Sequence, residues 1–127
     1  MSKTIINSNN APAPIGPYSQ AVKAGNTLYV SGSIPLDAQT GELINANITE
    51  ETHQVMKNMD AVLNAAGMSF ENVVKCSIFI KDMNQFGAIN DAYGMYFKEN
   101  PPARETVEVA RLPKDVNVEI SCIAVDL

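Results

Sequence analysis

The sequence predicts an α+β fold in one domain spanning residues 1–127. Three observations predict it. The length matches one typical domain and is too short for two. The composition, with 46% apolar and 18% charged residues, is close to that of soluble globular proteins. The predicted elements run in the order strands, helix, strand, helix, strands. We therefore expect a single hydrophobic core.

The first third of the chain is rich in turn and strand signals. The segment APAPIGPYSQ holds three prolines and a glycine, which impose a rigid, extended loop ending near Tyr18. The next segment, AVKAGNTLYVSG, predicts a hairpin with its turn at Gly25. Its second strand meets a glycine and then a proline, so we expect it to bend or bulge near Ser31 and Gly32.

A helix and a strand are predicted in the middle of the chain. Thr49 is the predicted N-cap, two glutamates follow it in the first turn, and Gly67 is the predicted C-cap. Apolar residues recur at helical spacing between these two ends. From Val73 to Ile80 the apolar residues alternate and many are β-branched, which predicts a strand with Val74 on its apolar face.

A second helix and two closing strands complete the pattern. Asp82 is the predicted cap of this helix, whose apolar stripe contains one polar residue, Asn90. The strands are predicted at Thr106–Ala110 and Val116–Val125, joined by a turn at LPKD. Asn90 is therefore expected to face inward.

The charge balance argues against a nucleic-acid partner. The net charge is −5, the pI is about 4.7, and the nine lysines and arginines are scattered, whereas nucleic-acid binding relies on clustered cations. No window is apolar enough for a membrane span, and the first residues, MSKTIINSNN, lack the apolar stretch of a secretory signal. We expect a cytoplasmic protein that binds neither membranes nor nucleic acid.

The cysteine and histidine content argues against metal chemistry. One histidine and no CxxC pair make a dedicated metal site unexpected. Cys76 and Cys122 both fall on the apolar faces of predicted strands. Reduced core thiols are therefore predicted, rather than a disulfide or a redox pair.

The last strand carries a glutamate on its polar face. Alternation places Glu119 away from the core. With a turn near Pro113, Glu119 lies opposite Glu108, on a face shared with Arg104 and Thr106. Two interpretations stay open for Arg104. It forms a surface ion pair with Glu119, worth under about 1 kcal/mol, or it binds the planar carboxylate of a ligand through two parallel hydrogen bonds.

Other candidate residues also have a structural and a functional interpretation. Tyr18 either fills the edge of the core or faces a pocket. Ser31 either forms a local turn or belongs to a glycine bulge whose N–H groups point at an oxygen or an anion. Asn90 is either a satisfied buried amide or a pocket residue. With Arg104 and Glu119, these residues form a candidate set around a small acid.

Three long segments carry a family resemblance. APAPIGPYSQAV, VSGSIPLDAQTGEL and PPARETVEVARLPKDVNVEISCIAV together resemble the RidA/YjgF family over essentially the whole chain. The resemblance implies a chorismate-mutase-like fold, with one mixed sheet backed by two helices, and a homotrimer with clefts between subunits. It also implies hydrolysis of reactive 2-imino and enamine acids, such as 2-iminobutanoate and 2-iminopropanoate, to 2-oxo acids and ammonia, without a metal or an organic cofactor.

The same resemblance implies roles for individual residues. Arg104 holds the substrate carboxylate, and Glu119 positions and activates water. The other pocket residues it implies are Tyr18, Asn90, Ser31, Gly32 and the backbone of Thr106.

The chain departs from many relatives at two places. It reads Arg104-Glu105-Thr106 where Arg-Ser-Cys is common, and it has Ser33 where glutamine is common. If only the main chain at position 106 contacts the substrate, threonine in place of cysteine does no harm. If the cysteine thiol of the relatives has a role, or if Glu105 repels an anionic substrate, we expect weak or redirected activity. A non-catalytic module that binds small carboxylates is the alternative function. Ribonuclease activity, an older association of the family, has little support in an acidic chain.

Overall fold

Six strands and two helices follow one another in the computed structural model, which describes residues 2–127. They are β1 (Thr4–Ile6), β2 (Ala21–Ala24), β3 (Thr27–Ser33), α1 (Ile48–Ala65), β4 (Val73–Ile80), α2 (Phe86–Gly94), β5 (Ala103–Glu108) and β6 (Val118–Val125). Short 3₁₀ turns lie at Phe70–Asn72, Met83–Gln85 and Pro113–Asp115. The strand β1 was not predicted, because its three residues are too few to establish a period.

All six strands form one mixed sheet in the order β1-β2-β3-β6-β4-β5. β4 and β5 are parallel, and every other neighbouring pair is antiparallel. Each helix therefore belongs to a crossover, β3-α1-β4 or β4-α2-β5, and both helices pack on one face of the sheet. This confirms the α+β fold with a mixed sheet and two helices.

The closing strands do not form the expected hairpin. β6 runs between β3 and β4, while β5 lies at the edge beyond β4. Glu119 is opposite Phe79 rather than Glu108. Glu108 is opposite Ile80 of β4. The carboxylate of Glu108 instead accepts a hydrogen bond from Met83 N at 2.8 Å. The predicted proximity of Glu119 and Glu108 is therefore wrong.

Local capping explains the ends of α1. The N-cap is Asn47, two residues before the predicted Thr49, and its side chain accepts a hydrogen bond from Glu50 N at 2.9 Å. At the other end, Gly67 has φ +73° and its N–H bonds to Asn64 O at 2.9 Å. The C-cap itself is Ala66, one residue before the predicted Gly67, and this left-handed glycine ends the helix directly after it.

The next two elements follow the prediction with small shifts. β4 begins with an irregular register between Val73 and Lys75, so Val73 is buried and Val74 is exposed, the reverse of the expected parity. Asp82 caps the 3₁₀ turn that leads into α2, accepting from Asn84 N at 2.9 Å.

The two faces of the sheet differ. Alternate residues of β6 are buried against the helices, as predicted. The opposite face, which we call the open face, carries Tyr29, Ser77, Phe79, Glu105, Val107, Glu119, Ser121 and Ile123. A small second cluster formed by Ile34, Leu36, Leu112 and Val116 packs against Phe79 at one end of this face. Within residues 2–127, neither helix is both long and apolar enough to cross a membrane.

Cys76 and Cys122 face each other across β4 and β6 in the helix-covered core. Both thiols are free, and burial raises the pKa of each. The prediction of reduced core thiols is confirmed.

Candidate active site

A cavity of about 340 Å³ lies where β3 and β6 meet on the open face. Its lining consists of Ile15, Tyr18, Ser31, Gly32, Ile34, Pro113 and Glu119. Four of the sequence candidates, Tyr18, Ser31, Gly32 and Glu119, are therefore brought together. The pairing of β3 with β6 brings Ser31 and Gly32 to Glu119, and hydrogen bonds from Ser31 to the backbone of Ser19 and Gln20 hold Tyr18 beside them.

A bulge in β3 forms one wall of this cavity. Val30 pairs with Cys122 but Ser33 pairs with Ile120, so β3 contains one extra residue between these pairs. The Ser31 hydroxyl donates to Ser19 O at 2.6 Å, and Ser31 N donates to Gln20 O at 3.0 Å. The predicted bulge at Ser31 and Gly32 is confirmed, and the hydroxyl proton of Ser31 is already engaged.

Gly32 lies directly against Glu119. A Cβ built on Gly32 would clash with Glu119 Oε2 and would lie 2.7 Å from its Cδ. Only glycine at this position therefore leaves the carboxylate where it is observed. The requirement is steric and not conformational, because the φ of Gly32 is not positive.

The carboxylate of Glu119 is half-buried and unpaired. Among the described residues it forms no ion pair and accepts no side-chain or backbone hydrogen bond. Burial raises its pKa above the ordinary glutamate value, because a charged carboxylate is less well solvated there than in water. A carboxylate with a raised pKa and no cation beside it is suited to accept and return a proton.

Tyr18 lies at the mouth of the cavity, with 48% of its surface exposed. Its hydroxyl accepts a hydrogen bond from Ile15 N at 3.3 Å. The proline-rich loop before it is fixed from below by the buried Gln20, whose side chain bonds to Ser8 N at 2.6 Å and to Pro12 O at 2.9 Å. Tyr18 therefore faces a cavity instead of filling the core edge.

Arg104 and Asn90 form a second group on the helix-covered side of β5. Arg104 Nη1 donates to Asn90 Oδ1 at 2.7 Å. The guanidinium also lies over two rings, 5.1 Å from the centroid of Tyr93 and 5.6 Å from that of Phe86. Asn90 faces inward as predicted, and it orients the guanidinium of Arg104 together with the aromatic rings.

The neighbours of Arg104 on β5 have different environments. Thr106 is on the same face, and its buried hydroxyl oxygen has no hydrogen-bond partner among residues 2–127. Glu105 points to the open face, where it pairs with Lys75 at 2.8 Å and with Ser77. The hydrogen bond from Lys75, followed by that from Ser77, lowers the pKa of Glu105. Its charge is thus paired with that of Lys75 on the face opposite Arg104.

Arg104 and Glu119 lie on opposite faces of the sheet. Arg104 pairs in register with Cys76, which faces the helices, whereas Glu119 pairs with Phe79 on the open face. Strand β4 also separates their two strands. The interpretation of an Arg104–Glu119 ion pair is therefore wrong, because it assumed a hairpin that does not form.

Comparisons with a family model and with individual proteins point to the same family. Residues 8–126 match the family model described as Endoribonuclease L-PSP. A RutC family protein of Pyrococcus horikoshii is 52% identical over 122 residues, covering 96% of this chain and 97% of that protein. The chain belongs to the RidA/YjgF family. Within this family, the mouse protein named 2-iminobutanoate/2-iminopropanoate deaminase is 46% identical, covering 97% of this chain and 91% of that protein.

The RidA/YjgF fold extends over the whole chain. The crystal structure of Escherichia coli TdcF with bound serine superimposes with a TM-score of 0.94 at 41% identity, covering 98% of this chain and 99% of that one. The family resemblance seen in the sequence is thereby confirmed, and so is the implied α+β fold with one mixed sheet and two helices.

Sequence reasoning missed part of the cavity wall. Ile15, Ile34 and Pro113 line the cavity, but apolar residues and prolines in loops carry no chemical signal of their own. Their position within the long family segments was the only available signal.

Proposed function

We propose that the protein hydrolyses 2-imino acids, such as 2-iminobutanoate and 2-iminopropanoate, to 2-oxo acids and ammonia. The observation that carries this proposal is the half-buried Glu119 carboxylate, which has a raised pKa and lies in a cavity beside Tyr18 and a β-bulge. Glu119 accepts a proton from water as the water oxygen adds to the imine carbon. It returns this proton to the nitrogen to give a carbinolamine, whose hydroxyl proton then passes through Glu119 to the nitrogen as the C–N bond breaks, so that the C=O bond of the 2-oxo acid forms and ammonia leaves.

Arg104 is the proposed carboxylate-binding residue. Asn90 uses one Nη1 hydrogen bond, which leaves further guanidinium N–H groups for a two-point grip on a planar carboxylate. Fixing the acid in this way directs the imine carbon toward the activated water. In this proposal the backbone around Ser31, Gly32 and Thr106 supplies additional polar contacts, and Tyr18 borders the ligand.

The two halves of this site require two copies of the chain. Arg104 and Glu119 lie on opposite faces of one sheet, so one subunit does not bring both to the same ligand. The open face also carries Tyr29, Val107 and other apolar side chains that the helices do not cover. A homotrimer of about 41 kDa, three times 13.7 kDa, buries such surfaces and forms a cleft at each interface.

Mixing two impaired variants tests the shared cleft. If each cleft takes Arg104 from one chain and Glu119 from another, a randomly mixed 1:1 assembly of Arg104→Lys and Glu119→Gln chains has an intact pair in one quarter of its clefts. We expect about 25% of wild-type activity after co-refolding, by this combinatorial argument. Activity at the level of the separate variants would place both residues in one chain's site.

Relatives support this proposal. The mouse homologue carries the name 2-iminobutanoate/2-iminopropanoate deaminase, and TdcF was crystallised with serine, an amino acid whose carboxylate resembles that of the proposed substrate.

The direct test compares catalysis with binding. Glu119→Gln keeps the size of the side chain but removes the proton acceptor, so we expect the rate of 2-oxo acid release from freshly generated imine to fall by about 100- to 10,000-fold. Binding of 2-oxobutanoate, measured by calorimetry, should persist because Arg104 is unchanged. Glu71→Gln, at an exposed position outside the cavity, is the matched control. An unchanged rate in Glu119→Gln would exclude Glu119 as the base.

A non-catalytic carboxylate-binding module is the second candidate, and the bound serine of TdcF is the observation that favours it. It predicts strong 2-oxobutanoate binding by wild type with no imine hydrolysis above the spontaneous rate.

A further inference from the structure

Glu51 is a buried carboxylate in α1 that the proposed chemistry does not use. It is 1% exposed, and among the described residues it has no ion-pair partner. Its two oxygens accept hydrogen bonds from Asn117, Oε2 from the main-chain N–H at 2.7 Å and Oε1 from the side-chain amide at 2.9 Å. Burying a carboxylate without a cation is costly, so these two bonds indicate a specific structural task.

Asn117 fixes the start of β6. It lies two residues before Glu119, and its carbonyl oxygen accepts Lys81 N at 3.0 Å. The preceding segment is strained, because Lys114 and Asp115 have φ values of 54° and 56°. Such conformations persist only where surrounding contacts hold them.

Two contacts hold this strained segment from outside. Lys81 Nζ bonds to Asp115 Oδ1 at 2.6 Å, and Glu51 anchors Asn117. The segment also carries Pro113, which lines the Glu119 cavity. A shift of the Glu51 anchor would therefore move one wall of the cavity and the strand that bears Glu119.

The same helix also holds the opposite wall. Asn58, seven residues after Glu51 and on the same side of α1, is buried and donates to Ile34 O at 3.0 Å and to Leu36 O at 2.8 Å. These carbonyls belong to the segment that follows Gly32. One polar stripe of α1 thus ties together the bulge wall and the Glu119 wall.

We propose that Glu51 is a positioning residue, which fixes Glu119 against the Gly32 bulge through its double hydrogen bond to Asn117. This inference rests on the proposed function for its kinetic consequences. The geometry of Glu119 itself is independent of that function.

Two substitutions at Glu51 separate hydrogen bonding from burial. Met has a similar length but cannot accept a hydrogen bond from N–H groups with comparable strength. In Glu51→Gln, the amide oxygen accepts the main-chain N–H of Asn117, and the amide nitrogen donates to Asn117 Oδ1 once the asparagine amide turns over. Glu50→Gln, at the adjacent exposed position, is the matched control for loss of one charge.

Kinetics and binding give the first measurement. We expect Glu51→Met to lower kcat by about 10- to 100-fold, the effect of misplacing a catalytic group by about 1 Å. Its Kd for 2-oxobutanoate should stay within about twofold of wild type, the range of a neutral substitution, because Arg104 is undisturbed. Glu51→Gln and Glu50→Gln should stay near wild type in both quantities.

The second measurement does not depend on catalysis. Carbon-13 NMR titration of the Glu119 carboxyl follows its pKa in each variant. The cavity lining contributes one other titratable side chain, Tyr18, and the adjoining segment contributes the Lys81–Asp115 pair. We expect the Glu119 pKa to fall toward the ordinary value in Glu51→Met, because a loosened wall admits water, and to stay raised in Glu51→Gln.

A second pair of variants tests the positioning role of Glu51 if Glu51→Met does not fold. Asn117→Asp sets two carboxylates against each other and should lower kcat, whereas Glu51→Gln combined with Asn117→Asp restores an amide facing a carboxylate and should recover it. Wild-type kcat and Glu119 titration in Glu51→Met or in Asn117→Asp would overturn the inference. If the wild-type protein shows no hydrolytic activity but the Glu119 titration still shifts in Glu51→Met relative to wild type, the proposed function fails and the positioning role stands.

Discussion

Gly32→Ala tests whether catalysis depends on the position of the Glu119 carboxylate. The new Cβ would lie 2.7 Å from Glu119 Cδ and 3.0 Å from its Cγ. Ordinary carbon contacts begin near about 3.4 Å, so the carboxyl carbon must move by roughly 0.7 Å. Displacement on this scale costs up to about 100-fold in rate when the group must meet a reacting atom. We therefore expect kcat for 2-imino acid hydrolysis to fall by roughly 10- to 100-fold.

The fold should tolerate this change. Gly32 has no positive φ, so alanine adds no backbone strain, and the clashing atoms belong to one side chain that can rotate into the cavity. Gly87→Ala is the matched control, since a Cβ there meets nothing within 4 Å. Both variants should show wild-type circular dichroism, and only Gly32→Ala should lose rate in the coupled assay for 2-oxo acid release. Equal rates in the two folded variants would refute the role of the Glu119 position.

Three further predictions address charge, pH and assembly. Arg104→Lys should lower kcat/KM for the imine by roughly 10- to 150-fold, equivalent to about 1.5–3 kcal/mol for a charged hydrogen bond. The reason is that an ammonium cannot match a guanidinium that is bonded to Asn90 and lies over the ring of Tyr93. Unaltered kinetics would exclude a two-point grip. Burial raises the folded-state pKa of Glu119, so wild type should lose stability relative to Glu119→Gln as pH rises above the carboxyl pKa of the unfolded state. The variant should therefore have the higher Tm at pH 7 and an equal Tm near about pH 4. A lower Tm of the variant at pH 7 would contradict this sign. Tyr29→Asp on the open face should be monomeric by light scattering and inactive in the kinetic assay. Met95→Asp, at another exposed apolar residue, should remain a trimer. A trimeric Tyr29→Asp would exclude the open face as the interface.

Local periodicity carried much of the fold prediction. Alternation alone placed Glu119 off the core, and glycine and proline signals located the bulge at Ser31 and Gly32. Helical spacing turned Asn90 inward. Each of these features is decided within about ten residues of sequence, where the period of a strand or a helix is sufficient.

Strand order could not be predicted in the same way. Spacing put Arg104, Thr106 and Glu108 on one face of their strand, but it did not show which face of the sheet this was. That depends on the crossover through α2, which makes β5 parallel to β4 and leaves β6 on the other side. The Glu51–Asn117 contact joins residues 66 positions apart, so no local pattern indicates it.

Placing Arg104 and Glu119 on opposite faces has an electrostatic consequence. Within one chain they cannot neutralise each other, so the guanidinium keeps free donors and the carboxylate keeps its raised pKa. In the proposed cleft, the arginine of one copy offsets part of the pKa rise that burial causes at the glutamate of another. A bound substrate carboxylate cancels that positive charge. The basicity of Glu119 then rises at the moment when water must be deprotonated, so substrate binding itself prepares the base.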